Sequence, residues 1–368
     1  MRILLLADSN SPHTLRWSKS IRDCNHTVGI FSLHTPDHEL YKDTADISLF
    51  SLNASRELQT KGERSISKLI YLKAKKKVKQ IIKEFKPDIV HSHYASSYGL
   101  IGALSGFHPY IVSLWGGDVF SFPKKSIIYK QILKYSLSKA DKILSTSRIM
   151  KEEASRYTDN EILLTPFGID IDRFTPRKIN SLFKADDLVI GTIKTLEKNY
   201  GVNFLIEAFA LVKKKFSNKP LKLLIAGKGT QRNFLEDMVK KLGLENDTIF
   251  AGYIDHNNVQ DYHNMLDIYV AMSLEESFGV AVLEASACGK PVIVSNVGGL
   301  PEVVEDRKTG FIVEKGNSKA LADSLSKLID EPELAASMGN EGRKKVIKEY
   351  DWNESVNKMI SIYKTILN

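Results

Sequence analysis

The chain reads as an α/β protein made of two doubly wound, Rossmann-like domains, and three observations predict this. Its 368 residues and 41.4 kDa exceed what one hydrophobic core ordinarily serves. Short apolar strand patterns alternate with longer stretches of helical period, the signature of parallel sheets covered by helices. The alternation stops at Thr165 to Pro176, a stretch with two prolines, a glycine and no sustained period, and then restarts. The expected organisation is an N-terminal domain over 1–166, a linker at about 167–179, a C-terminal domain over 180–350, and a last helix at about 352–368.

Ile3 to Ala7 is a continuous apolar run, as expected of a strand buried on both faces of a parallel sheet. Asp8 interrupts it before the apolar core of a signal peptide forms. The loop Ser9 to His13 follows, and a helix from about Thr14 leads to a second strand at Thr27 to Leu33, completing a βαβ unit. Open α/β sheets bind ligands at loops leaving the carboxyl ends of their strands, which makes His13 and Arg16 candidate site residues. Ile66, Leu69, Ile70, Ala74, Val78, Ile81, Ile82 and Phe85 then recur at helical spacing, with Lys73, Lys75, Lys76, Lys77, Lys79 and Lys83 at other positions. This long amphipathic helix presents a basic face, either to solvent or to anionic lipid head groups.

Strands are expected at Asp88 to His91, Ile111 to Leu114, Lys142 to Ser145 and Glu161 to Leu164, separated by helices near Ser97 to Ser105, Lys125 to Ser138 and Arg148 to Tyr157. Two strand exits, His91-Ser92-His93-Tyr94 and Trp115-Gly116-Gly117-Asp118, carry polar chemistry, with His91 falling in the sheet. Asp118 could accept a hydroxyl proton or orient a sugar; equally, it could cap a tight turn.

Beyond the linker, strands are expected at Leu188 to Ile193, Leu221 to Ala226, Ile249 to Gly252, Ile268 to Met272, Pro291 to Ser295 and Gly310 to Val313, with a helix from about Val202 to Lys215. Helices at Glu333 to Glu349, entered through Pro332, and at Trp352 to Leu367 close the chain. Arg232 stands where a dinucleotide fingerprint starting at Gly227 needs its third glycine, so an NAD site is not expected. Gly289-Lys290 lacks the upstream glycine of a P-loop, and no Cys and His spacing suits a metal. Two cysteines, Cys24 and Cys288, suit a reducing cytoplasm, and no apolar run approaches the roughly 20 residues of a membrane span. The formal charge of +8 is uneven: residues 1–166 hold 25 Lys+Arg against 16 Asp+Glu, and the remainder 27 against 28. The basic half favours an anionic partner such as a membrane face; stacking aromatics of the kind a nucleic-acid site uses are absent from Lys73 to Lys86.

Ser273 to Gly299 is the most informative stretch. It reads as a strand exit, a Phe-Gly turn and a helix from Gly279 to Cys288, with Glu276 just before the helix and Glu284 in its second turn. A helix N-terminus opened by glycine suits phosphate, and carboxylates suit neighbouring sugar hydroxyls; such glutamates also serve as caps and solvated charge. The segment from Leu188 to about Glu331 resembles the nucleotide-binding domain of retaining GT-B-fold glycosyltransferases of the family 4-like, group 1 type. The resemblance rests on Ile225-Ala226-Gly227-Lys228-Gly229, Phe250-Ala251-Gly252-Tyr253, the Glu276 and Glu284 pair and Gly298-Gly299-Leu300-Pro301-Glu302, with Phe167 to Phe174 as the crossover.

That resemblance implies two Rossmann-like domains facing across a cleft, a nucleoside diphosphate sugar as donor, no cofactor and no metal. Glu284 would hold the ribose, Glu276 the transferred sugar, the Phe278-Gly279-Val280 backbone the diphosphate or sugar, and Tyr253 the edge of the base; Gly227 and Gly229 would line the donor site. Lys194 and Lys198 are the candidates for the family's phosphate-neutralising basic pair, with Tyr200 where a lysine is common before Gly201. Trp115 replaces a histidine that many relatives carry, leaving Asp118 and His13 as sugar-side or acceptor-side groups. Relatives return their last helix to the N-terminal domain, where Trp352 would pack. The expected reaction is hexosyl transfer to a saccharide or lipid-linked acceptor in polysaccharide, lipopolysaccharide or glycolipid synthesis, in the cytoplasm or peripherally on the inner face of the membrane. The rival expectations are a sugar-nucleotide epimerase or hydrolase, and a non-catalytic binding module.

Overall fold

The structure is a computed structural model that describes residues 1–44, 46–54 and 64–368, with side chains in the first long helix from Ile70 onward. The chain divides into two compact units, one formed by residues 1–166 and 354–368, the other by 167–353.

The first unit holds a parallel sheet of β1 (Arg2–Leu6), β2 (Thr27–Ser32), β3 (Ser48–Ser51), β4 (Ile89–His93), β5 (Tyr110–Leu114), β6 (Lys142–Ser145) and β7 (Ile162–Leu164), in the order β3-β2-β1-β4-β5-β6-β7. Leu4, Phe31, Val90, Val112 and Ile143 from these strands join Val78, Ile81, Ile101 and Leu133 from covering helices in one core. Burial on both strand faces explains the unbroken apolar run Ile3 to Leu6 of β1. The second unit repeats the plan with β8 (Leu188–Ile193), β9 (Leu221–Ala226), β10 (Thr248–Gly252), β11 (Ile268–Ala271), β12 (Val292–Ser295) and β13 (Gly310–Val313), ordered β10-β9-β8-β11-β12-β13. Ile190, Leu205, Phe209, Leu223, Ile225, Val270, Ile293 and Leu325 belong to its core. In both sheets the chain starts centrally, runs to one edge and returns to fill the other, which creates a switch point beside the first strand.

The doubly wound α/β expectation therefore holds in each unit, with strand ends shifted by one or two residues. The sequence reading lacks β3, a four-residue edge strand, and three helices longer than four residues, Arg232–Lys241, Val259–Met265 and Ser318–Asp330. The first two of these helices have ten residues or fewer, too few for a sustained period. The long basic helix spans Arg64–Phe85, and its predicted apolar positions Ile66 and Leu69 lie outside the residues whose side chains are described. Ala74, Val78, Ile81 and Phe85 are buried as the period requires.

Residues of the last helix, Trp352–Leu367, belong to the first unit from Glu354 onward, while Trp352 is in the second, its amide donating to the Ile169 carbonyl at 2.9 Å. Tyr363 is fully buried, and its hydroxyl hydrogen-bonds His91 Nδ1 at 2.7 Å; His91 Nε2 bonds the Ser113 hydroxyl at 2.8 Å. A neutral imidazole satisfies both partners, one nitrogen donating and the other accepting. Burial accordingly pushes the His91 pKa down to about 3.

Two outcomes follow. Tyr363→Phe leaves one buried imidazole nitrogen without its partner and should lower urea stability by about 1 to 3 kcal/mol. Because an unfolded histidine takes a proton near pH 6.5 and native His91 does not, stability is complete above that pH and is lost on acidification toward pH 3. Between pH 7 and 5 the loss should be about 2 kcal/mol from this group; a urea midpoint that stays flat over that range contradicts it.

Candidate functional site

The second sheet builds a site at its switch point. β8 lies between β9 and β11, and the pairing of Ile193 with Ala226 brings the exits of β8 and β9 level. Lys194 is the first residue past β8. Its amide donates to the Ala226 carbonyl at 2.9 Å, and its ammonium reaches over to Glu276, in the loop after β11, at 2.5 Å. Both side chains are largely shielded, 18% and 14% exposed. Tyr200 lies over the same ammonium, 4.4 Å from its ring centroid, so the tyrosine that replaces an expected lysine contributes a π face to Lys194.

Two glycines make this approach possible. Gly227 has φ +140°, and a Cβ there would overlap the Lys194 carbonyl oxygen; Gly298 has φ +51°, and a Cβ would overlap the Glu276 carbonyl oxygen. Gly229 packs on the backbone of Leu196. Gly227 and Gly229, expected to line a donor site, let the β9 loop lie on the Lys194 loop, and Gly227 lines the cavity.

Helix Val280–Ala287 follows Gly279, whose φ is +106°. Phe278 is buried, its ring edge-on to Phe167 and Tyr350, so this residue can offer only backbone to a ligand. At the opposite helix end the Arg343 guanidinium donates to the Ala287 carbonyl, a cation placed where the helix dipole favours one. Glu284 projects from the second turn, 13% exposed, with His263 Nε2 at 3.4 Å from its carboxylate. His263 is fully buried and makes no hydrogen bond through either ring nitrogen. It backs the carboxylate from inside the protein.

Lys194 and Glu284 line one cavity of about 360 Å³ together with Ile193, Ala226, Gly227, Lys228, Tyr253 and Val259. Tyr253 is 64% exposed at the rim, with the Lys228 ammonium 4.6 Å from its ring centroid. Lys198 stands exposed on the turn Lys198–Tyr200 and does not line the cavity. The second cation there is Lys228, which sequence reasoning passed over although it lies inside the Gly-Lys-Gly motif. Two cations, two carboxylates, an aromatic rim and a helix N-terminus can together hold an anionic ligand rich in hydroxyls.

In the first unit, His13 meets Trp115 edge-on at 5.8 Å, and Trp115 also contacts His93 at 4.2 Å and Tyr94 at 5.3 Å. The exits of β1, β4 and β5 thus converge around Trp115. Arg16 is half-buried on helix Pro12–Asp23. Asp118 takes the turn-cap alternative of the sequence reading rather than the proton-accepting one. It is 2% exposed, and its oxygens accept the amides of Ala95 and Gly116 at 2.8 Å and Trp115 at 3.3 Å. Burial raises its carboxyl above the usual range while these amides hold it back. It caps the turn and ties the β4 and β5 exits together.

The tightness at Gly298 yields a stability test. Gly298→Ala must move the Glu276 backbone and should cost about 1 to 3 kcal/mol, whereas Gly243→Ala, at φ +67° with open space around its Cβ, should cost only about 1 kcal/mol. Equal melting temperatures for the two variants would remove Gly298 from the construction of the site.

Residues 174–345 match the family model described as glycosyl transferases group 1, and residues 2–147 match glycosyl transferase 4-like. The chain is 28% identical to the capsular polysaccharide biosynthesis glycosyltransferase CapM of Staphylococcus aureus, over 83% of this chain and 84% of that one. Among solved structures it is similar to sucrose-phosphate synthase from Thermosynechococcus elongatus (TM-score 0.83, 21% identity, 99% and 98% of the two chains). It is also similar to Anabaena Alr3699/HepE in complex with UDP-glucose (TM-score 0.78, 19% identity, 98% and 99%). With both units matched by glycosyltransferase models, and with paired doubly wound sheets like those of these structures, the chain belongs to the GT-B-fold glycosyltransferases of group 1.

Proposed function

We propose that the protein is a retaining, metal-independent hexosyltransferase that moves a sugar from a nucleoside diphosphate donor to an acceptor hydroxyl in polysaccharide, lipopolysaccharide or glycolipid synthesis. The observation that carries this reading is that Lys194 and Glu284 line one switch-point cavity while the Lys194 ammonium is paired with Glu276. The UDP-glucose bound by one structural neighbour and the capsule synthesis named for one relative support the donor class and the setting.

In this reading Glu284, braced by His263, accepts hydrogen bonds from the ribose hydroxyls. Tyr253 borders the base. The diphosphate lies against the amides that open helix Val280–Ala287 and near Lys194 and Lys228, whose charges offset the negative charge that grows as the bond to the anomeric carbon breaks. Glu276 receives hydroxyls of the transferred sugar and holds the Lys194 ammonium in place while it does so. The acceptor hydroxyl attacks from the face the diphosphate leaves, and its proton passes to a departing phosphate oxygen. No protein base is required, which agrees with a capped and buried Asp118. The N-terminal unit receives the acceptor, with His13 and Trp115 as its candidate contacts. The setting is the cytoplasm or the inner face of the cell membrane.

The decisive experiment incubates the protein with UDP-, GDP- and ADP-sugars, with and without saccharide and lipid-linked acceptors, and follows donor binding, donor loss and product anomer. Failure to bind any donor removes the reading, and consumption without an acceptor replaces it with hydrolysis or epimerisation. Lys194→Ala should reduce turnover roughly a hundredfold, about 3 kcal/mol of transition-state stabilisation, while Lys198→Ala stays near the parent rate and chelation of divalent metal changes nothing. Wild-type turnover in Lys194→Ala would refute the phosphate role.

A further inference from the structure

Helix Ile127–Ser138 is apolar on two faces. Leu133 and Leu137 are buried in the first core. On its other face Ile128, Ile132 and Tyr135, with Leu100 and Leu104 from helix Ser97–Ser105, line an open groove of about 370 Å³. Ile127 and Ile128 stand 68% and 65% exposed at the helix start, an unusual setting for two adjacent isoleucines. Helix Arg64–Phe85 packs on helix Ser97–Ser105, and burial, then the proximity of Tyr129, raises the Tyr71 hydroxyl pKa. Leu72, the residue after Tyr71 on that helix, is 61% exposed.

The charge around this apolar face has one sign. Residues 64–140 contain 14 Lys+Arg and only three Asp+Glu, and of the three Asp118 is buried. Helices Ser97–Ser105 and Ile127–Ser138 contain no acidic residue at all. Lys73 and Lys76 on helix Arg64–Phe85, Lys125 just before Ile127, and Lys134 on helix Ile127–Ser138 are exposed. A second copy of the chain placed on this face would set lysines against lysines. Single-stranded nucleic acid would meet a groove whose walls are mainly aliphatic, with little to stack on. A bilayer of anionic lipid satisfies both halves of the pattern: head groups pair with the lysines while isoleucine side chains enter the acyl boundary.

We propose that the face formed by Ile127, Ile128 and the groove they line, with the exposed lysines of the helices that build and flank it, docks the protein on an anionic lipid bilayer. The surface goes beyond the donor-site reading and does not rest on it. No helix among the described residues is long and apolar enough to cross a membrane.

The test is co-sedimentation of the full chain with vesicles of phosphatidylcholine alone and of phosphatidylcholine mixed with phosphatidylglycerol, at low and high salt. Binding should require phosphatidylglycerol and fall about tenfold or more at high salt. The double variant Ile127→Glu, Ile128→Glu should lose about tenfold or more of that binding, and Lys73→Glu with Lys76→Glu should do the same, while melting temperature and UDP binding stay at the parent value. Equal binding to both vesicle types, no binding to either, or a parent dimer that the isoleucine variant turns into a monomer would each overturn the proposal. UDP binding measured on the same samples reports on the donor site separately.

Discussion

The ion pair between Lys194 and Glu276 joins the loops that leave β8 and β11, the two strands flanking the switch point of the second sheet. Both groups are more than four-fifths shielded, so each alone would be a costly charge in a poorly solvated place. Together, with the Tyr200 ring over the ammonium, they keep a cation and a carboxylate in fixed positions within a site that must receive both phosphate and hydroxyls. Truncating either partner leaves the other uncompensated, which makes this contact sensitive out of proportion to its size.

Close packing of backbone makes the pair possible. Gly227 and Gly298 sit where any side chain would push back the carbonyl of Lys194 or of Glu276, so each half of the pair has its own glycine beneath it. The helix that follows is only eight residues long, too short to be stable alone. It is held by its buried apolar residues, including Val282 and Leu283, by Arg343 at its C-terminal carbonyl and by the Phe278 ring wedged between Phe167 and Tyr350. Its free N-terminal amides are therefore presented by a rigid mount, the condition under which preorganised donors stabilise developing charge.

How much of this could be read from the sequence depends on whether a feature is local. All the strands but β3 were legible because a parallel sheet covered on both faces demands strongly apolar runs such as Ile3 to Ala7. Glu276, Glu284 and the Phe-Gly turn were legible because they fall within a dozen residues of one another. The Lys194 to Glu276 contact spans 82 positions and was not, although each residue had been singled out for a separate reason. Lys228 was hidden because its glycine neighbours drew attention first, and His263 because a lone histidine in a short helix has no pattern to betray it. Asp118 stayed open between two roles since the same Gly-Gly-Asp spelling serves a proton acceptor and a turn cap, and only the three amides around it decide. The groove beside Ile127 and Ile128 escaped because apolar residues in a helix are ordinarily counted as core, and only the fold shows which of its two apolar faces the chain covers.

The two units also divide the electrostatics. Residues 1–166 carry a net formal charge of +9 and the remainder −1. In the second unit the site lysine Lys194 is largely shielded and paired, so its field acts over a few ångströms and is poorly screened by salt. In the first, exposed lysines along helix Arg64–Phe85 sum to a field that reaches about 10 Å at moderate ionic strength and fades beyond it. A short-range paired cation suits discrimination of a bound ligand; a long-range unpaired cluster suits capture of a broad anionic surface. Salt should consequently separate the two processes, weakening surface capture strongly and ligand recognition little, because only one of them depends on charges that water can reach.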